Sequence, residues 1–110
     1  MVSVLLMFVV GLVCVESAFE CGLCVCDYES GGVRAICGGV RLSHVPTFGR
    51  LINNKVIVLG LARNGIRHVT IEDIGRFPML KLIDLREQDS CVTFAGNIPQ
   101  SVDIYGVYSN

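Results

Sequence analysis

Val56-Ile57-Val58-Leu59-Gly60-Leu61-Ala62-Arg63-Asn64-Gly65-Ile66 is the stretch on which the fold turns. It fits the pattern L-x-x-L-x-L-x-x-N-x-L, with Val and Ile standing as aliphatics. Leu59 and Leu61 lie two apart, so on a short strand both face one side. Asn64 turns the chain, and its side-chain amide can satisfy backbone groups of neighbouring turns. The pattern returns at Leu80-Lys81-Leu82-Ile83-Asp84-Leu85-Arg86-Glu87-Gln88, with Gln in place of Asn. From Val56 to Leu80 is 24 residues, inside the 20–29 spacing of one class of stacked-repeat architecture. Ile66, Val69, Ile74 and Phe77 fall between the copies and are expected to point into the same core. One copy cannot bury its apolar face, so copies must stack. A single match would suit any amphipathic strand-turn-helix segment; two at one offset, joined by an apolar return limb, define a repeat.

Working outward to the N-terminus, residues 1–15 are apolar apart from Ser3 and Gly11, and Glu16-Ser17 ends the block. Such a block followed by small residues reads as a secretory signal peptide, cleaved between Ser17 and Ala18. No Lys or Arg precedes it. It is short for a transmembrane anchor, which needs roughly 20 apolar residues. All nine Lys and Arg residues lie beyond Val33, and losing Glu16 leaves nine acidic residues against them. A balanced chain without a basic stripe excludes nucleic acid and acidic membrane as partners.

Cys14 lies in the signal. Cys21, Cys24, Cys26 and Cys37 form a C-x2-C-x-C-x10-C cluster, and Cys91 stands apart. In an exported chain the cluster implies disulfides, which a small domain with a marginal core needs. Zinc held by Cys24, Cys26 and His44 is disfavoured by the C-x-C spacing and the lack of a second matched pair. Four cysteines allow three pairings, and spacing does not choose among them.

Cys21 to Cys26, the strand Val33-Arg34-Ala35-Ile36-Cys37, and Leu42-Ser43-His44-Val45-Pro46 ahead of the first repeat together resemble extracellular leucine-rich-repeat proteins with a cysteine-rich N-terminal cap. The resemblance covers Cys21 to about Gln88. It implies an α/β, solenoid-like fold: a short right-handed coil with parallel concave strands and a disulfide-stapled cap hairpin. It also implies the pairs Cys21–Cys26 and Cys24–Cys37. The expected organisation is signal peptide 1–17, cap 18–50, two repeats 51–90, and a degenerate closing strand and tail 91–110, with Val102-Asp103-Ile104-Tyr105 as the strand. This chain departs from the family in having two clear repeats, Gln88 for Asn, and no C-terminal cysteine-rich cap. Cys91 is left to be a free thiol, an intermolecular bridge or a buried filler.

In such a fold the outward residues of the concave strands face a ligand. Here they are Val58, Gly60, Ala62 and Arg63 in the first copy, with Leu82, Asp84, Arg86 and Glu87 in the second. Val58 and Leu82 make an apolar spot beside a charged row, which suits a protein partner. The alternative is a solvated sheet in which Arg63 pairs with Glu87. Catalysis and cofactors are not expected. His44 and His68 each precede a valine at a turn, without a nucleophile or acid at recognisable spacing. Gly31-Gly32 and Gly38-Gly39 read as hairpin turns flanking the cap strand, and Glu72-Asp73 as the first turn of a short helix. No N-x-[ST] site lies beyond Ser17. The functional expectation is a secreted, non-enzymatic protein-binding module, a decoy or modulator of a larger receptor. The alternatives are an assembly component docking end-on or forming a Cys91-linked homodimer, and a signal-anchored membrane protein.

Overall fold

The computed structural model describes residues 18–106. The signal-peptide reading of residues 1–17 therefore lies outside the described residues. Within them, eight strands and two short helices follow in chain order: β1 Phe19–Cys21, β2 Cys24–Glu29, β3 Gly32–Ile36, α1 Arg50–Asn53, β4 Val56–Gly60, β5 His68–Thr70, α2 Ile71–Gly75, β6 Leu82–Asp84, β7 Thr93–Ala95 and β8 Asp103–Tyr105. Six of the strands form one sheet in the order β1-β2-β3-β4-β6-β8. The first three are antiparallel, and β3-β4, β4-β6 and β6-β8 are parallel. β5 and β7 pair in parallel as a second, two-stranded sheet. The protein is thus a small α/β fold with a mostly parallel sheet.

The β2–β3 hairpin turns at Ser30-Gly31, both with positive φ (51° and 83°). A two-residue turn of that kind matches the twist of the flanking strands, and glycine adopts it without steric cost. Gly32 is not in the turn but opens β3, where a Cβ would stand 2.5 Å from Ile57 Cγ2. Gly38-Gly39 is not a hairpin either. The strand that follows it in the sheet, β4, runs parallel to β3, so the chain leaves along a connection carrying α1.

The two-residue alternation of the 56–66 stretch is realised in burial. Val56, Leu59, Leu61 and Ile66 are fully buried, as are Ile83 and Leu85 of the second stretch. Val69, Ile74 and Phe77 close the core from the opposite side. Each such side chain contributes roughly 1.5–3 kcal/mol relative to exposure. One cluster runs without a break from Cys21 to Val102, so residues 18–50 and 51–90 share a single core. Val102 is buried, and β8 lies beside β6 with Ile104 opposite Ile83.

Disulfides Cys21–Cys26 and Cys24–Cys37 tie the N-terminal end of the sheet. All four sulfurs are bonded in these disulfides, so Cys24 and Cys26 are not thiolate ligands of the zinc site weighed from the sequence. Disulfides of this kind belong to an oxidising, extracellular type of environment. Among the described residues no helix is long and apolar enough to cross a membrane.

His68 lies within β5 rather than at a turn. After it, Thr70 caps α2 through a reciprocal pair: Thr70 Oγ1 accepts from Asp73 N–H (3.1 Å) and Asp73 Oδ2 accepts from Thr70 N–H (2.9 Å). The acidic first turn, Glu72-Asp73, also suits the positive end of the helix. Thr70→Ala is expected to cost about 1 kcal/mol in urea unfolding. A loss below about 0.3 kcal/mol would show that β5 and Ile74 alone hold this helix.

Candidate interaction face

Asn64, 3% exposed, organises the turns that end the parallel strands. Its Oδ1 accepts from Val40 N–H (3.1 Å) and Leu42 N–H (2.9 Å), and its Nδ2 donates to Cys37 C=O (2.9 Å) and Leu61 C=O (3.0 Å). Gln88 repeats two of these bonds 24 residues on. Its Oε1 accepts from Ile66 N–H (3.0 Å), as Asn64 does from Leu42, and its Nε2 donates to Leu61 C=O (2.7 Å), as Asn64 does to Cys37. The residues just before these two amides, Arg63 and Glu87, share a left-handed backbone (φ 57° and 61°), and Gly39 holds the equivalent place one step earlier (φ 67°). The replacement of Asn by Gln therefore keeps the joint intact.

Strand pairing fixes what lies on the open side of the sheet. Cys26, Ala35, Leu59, Ile83 and Ile104 are aligned across the strands toward the core. Side chains alternate along a strand, so the residues on either side of that row face away. One outward row runs Val25, Ile36, Gly60, Asp84, Tyr105; the other runs Asp27, Arg34, Val58, Leu82, Asp103. The sequence-derived residues Val58, Gly60, Leu82 and Asp84 are brought together here as two adjacent cross-strand pairs. Arg63, Arg86 and Glu87 are exposed at the turns beyond them.

The hairpin adds residues that the repeat pattern does not reach. Val25 and Ile36 are 53% and 42% exposed, and Ile36 Cδ1 lies 3.0 Å from where a Cβ on Gly60 would stand. Ile36 thus closes over the bare backbone of β4 and extends the Val58–Leu82 spot. Tyr105 adds an exposed ring at the far side. The sequence signal for Val25 is alternation about the cysteines of Cys24-Val25-Cys26: buried cysteines force the valine between them outward.

Charges frame this strip. Arg34 donates from Nε to Asp27 Oδ1 (3.0 Å) and from Nη2 to Oδ2 (2.9 Å), with Glu29 Oε1 2.8 Å from Nε. Arg86 grips Asp84 in the same two-pronged way, at 2.9 and 2.7 Å. The Arg63–Glu87 pair of the solvated-sheet alternative is not formed: the Arg63 guanidinium lies over Gly38, its Nη2 3.3 Å from where a Cβ would stand there. The Arg34 hydrogen bond holds the Asp27 carboxyl below its ordinary value, and the Arg86 hydrogen bond does the same for Asp84.

A depressed folded-state pKa contributes stability above the unfolded value, near 3.9 for aspartate, that is lost as pH falls through the folded value. Thermal stability is therefore expected to be flat from pH 7 to about 5 on this account and to decline below about 4. The decline should be shallower in Asp27→Asn/Asp84→Asn, and small throughout because the pairs are exposed. An identical acid limb in that variant would show that other carboxylates govern it.

Elsewhere, His68 Nδ1 lies 2.6 Å from Thr93 Oγ1 and His44 Nδ1 2.9 Å from Ser43 Oγ. Both rings are exposed. Among the described residues no cluster of three or more His, Cys, Asp or Glu side chains could hold a metal ion. Cys91 is exposed with a free thiol, which overturns its reading as a buried filler.

What fold and face define together is a small disulfide-tied α/β protein with one open, apolar-centred sheet face. Comparison with family models, with curated proteins and with solved structures found no match to the chain.

Proposed function

We propose that this protein is a secreted, short leucine-rich-repeat module with a cysteine-rich N-terminal cap, and that it binds an extracellular protein through the open face of its main sheet. The observation that carries this reading is the composition of that face. Val25, Ile36, Val58 and Leu82 make an apolar centre, and the Asp27–Arg34 and Asp84–Arg86 pairs stand at its border. An apolar centre with a polar rim is the usual anatomy of a protein–protein contact. The 24-residue recurrence of the Asn64 and Gln88 bonds supports the repeat reading, and the two disulfides support export. Nothing in the face suggests a reaction, and its role is recognition, in the manner of a decoy or modulator of a larger receptor.

The test is a binding screen with tetramerised protein against a panel of extracellular domains. A true partner binds saturably, loses at least about tenfold in affinity with Leu82→Glu, and is unaffected by Leu51→Glu, since Leu51 lies in α1 away from the strands. Binding that ignores Leu82→Glu, or responds equally to both variants, would refute the face.

A second reading rests on Cys91 and the β8 edge. An exposed odd thiol in an oxidising compartment pairs between molecules readily, and among the described residues β8 has a strand on one side only. End-on assembly or a Cys91-linked homodimer follows from that. Intact mass of the secreted protein with and without reduction separates the readings. A monomer beginning at Ala18 and carrying two disulfides favours the solitary module. A dimer that collapses on reduction favours assembly, and residues 1–17 still attached on a cell-retained chain favours the membrane-anchored form.

A further inference from the structure

A cleft of about 400 Å³ lies where the turn after β3 meets the turn after β4. Arg41 and Arg63 both line it, with Leu42, Ser43, Gly65 and Asp89. Of the seven arginines, Arg34, Arg76 and Arg86 each hold a carboxylate at 3.0 Å or less, and of the remaining four only Arg41 and Arg63 line this cleft. Among the described residues neither Arg41 nor Arg63 is in an ion pair.

The backbone beneath these two side chains is unusual and held firmly. Both residues are in the left-handed region (φ 64° and 57°), which costs a non-glycine residue of order 1 kcal/mol and persists only where surroundings enforce it. Arg63 occupies the turn position shared by Gly39 and Glu87. Arg41 does not: its counterparts 24 residues on and again, Gly65 and Asp89, have ordinary backbones. Its conformation is imposed by Asn64, whose Oδ1 takes the N–H groups of Val40 and Leu42 on either side of it. Gly65 N–H donates to Leu42 C=O (2.8 Å) and locks the two turns together. The result is two arginines on a rigid base at the edge of a recess that Leu42 also lines, with the Arg63 guanidinium lying over neighbouring Gly38, Nη2 3.3 Å from where a Cβ would stand there.

We propose that this cleft binds a single acidic side chain of a peptide, its carboxylate shared by Arg41 and Arg63. Two guanidiniums presenting N–H donors suit a carboxylate, and a preorganised base lowers the ordering cost of binding. Asp89 at the rim disfavours a polyanion and offers an acceptor for a backbone N–H next to the bound carboxylate. Arg63 also borders the open face, whereas the other lining residues belong to neither outward row of the sheet, and the test involves no natural partner.

The probe is N-acetyl-glutamate N-methylamide, titrated into the ¹⁵N-labelled secreted protein with amide and arginine Nε–Hε signals observed. The expected result is a saturable shift of the Arg41 and Arg63 side-chain signals and of the Leu42, Ser43 and Gly65 amides at millimolar concentration. N-acetyl-glutamine N-methylamide should shift them at least about tenfold less, since a charge-assisted bond is lost. Arg41→Gln/Arg63→Gln should abolish the response while leaving the other amide positions unchanged, which controls for folding. Equal response to the glutamine probe, or none to the glutamate probe, would overturn the proposal. Tighter binding of a heparin oligosaccharide at the same signals would overturn it in favour of a sulfated polyanion.

Discussion

Asn64→Ala is expected to remove about 3 kcal/mol of stability, and with it roughly 15 °C of melting temperature for a domain of this size. The substitution orphans two backbone N–H groups, of Val40 and Leu42, and the carbonyl of Cys37, while the Leu61 carbonyl keeps its bond from Gln88 Nε2. Each buried, unpaired group costs about 1–3 kcal/mol, and water reaching the half-buried 40–42 loop offsets part of that. Small domains hold near the lower end of 5–15 kcal/mol, so the variant should be only marginally folded. Asn64→Asp should be no better. It keeps the acceptor for Val40 and Leu42 but turns an oxygen toward the Cys37 and Leu61 carbonyls. Gln88→Ala, with two bonds at a partly exposed site, should lose about 1–2 kcal/mol. Urea and thermal unfolding followed by circular dichroism decide the matter. A loss below about 1 kcal/mol for Asn64→Ala would mean that solvent already serves these groups.

The second large effect is expected from Cys24→Ala/Cys37→Ala. The bond closes a separation of 13 residues, for which loop-closure entropy alone is about 3 kcal/mol. Both cysteines are buried against the core, so trimming sulfur leaves small voids that add to the loss. Cys21→Ala/Cys26→Ala should cost less, about 2 kcal/mol, because the separation is 5 and the β1–β2 hairpin already holds its ends close. Urea midpoints of the two double variants test the order. The reverse order would place the greater constraint at the very N-terminal edge.

Much of the core is legible in the sequence alone. Strand alternation and turn chemistry in the 56–66 stretch put Val56, Leu59, Leu61, Asn64 and Ile66 inside, and each is buried. Those are local rules acting on adjacent residues. The second sheet, β5 with β7, depends on pairing His68–Thr70 with Thr93–Ala95. No local pattern announces that pairing, so from sequence His68 reads as a turn residue. Gly38-Gly39 reads as a hairpin because glycine pairs signal turns without saying in which direction the next strand runs. The open face is half legible. Val58, Gly60, Leu82 and Asp84 follow from the repeat, whereas Val25 and Ile36 come from the disulfide-tied hairpin and join them only through cross-strand register. Arg86 takes Asp84, two residues away on the same segment, and the Arg63 guanidinium lies over Gly38, a contact across neighbouring turns that no local pattern announces.

The paired amides of Asn64 and Gln88 have an engineering consequence. The two joints share one N–H and one carbonyl of the preceding turn and a left-handed residue just before the amide, and Asn64 adds a second N–H, that of Val40. Under the proposed repeat reading, length is then a free variable of the architecture. A duplicated cassette spanning residues 64–87, inserted after Glu87, would present Asn64 contacts to the copy before it and receive Gln88 contacts from the copy after it. On the proposed repeat reading the molecule becomes a ruler with interchangeable segments, its open face widened by one strand at a time.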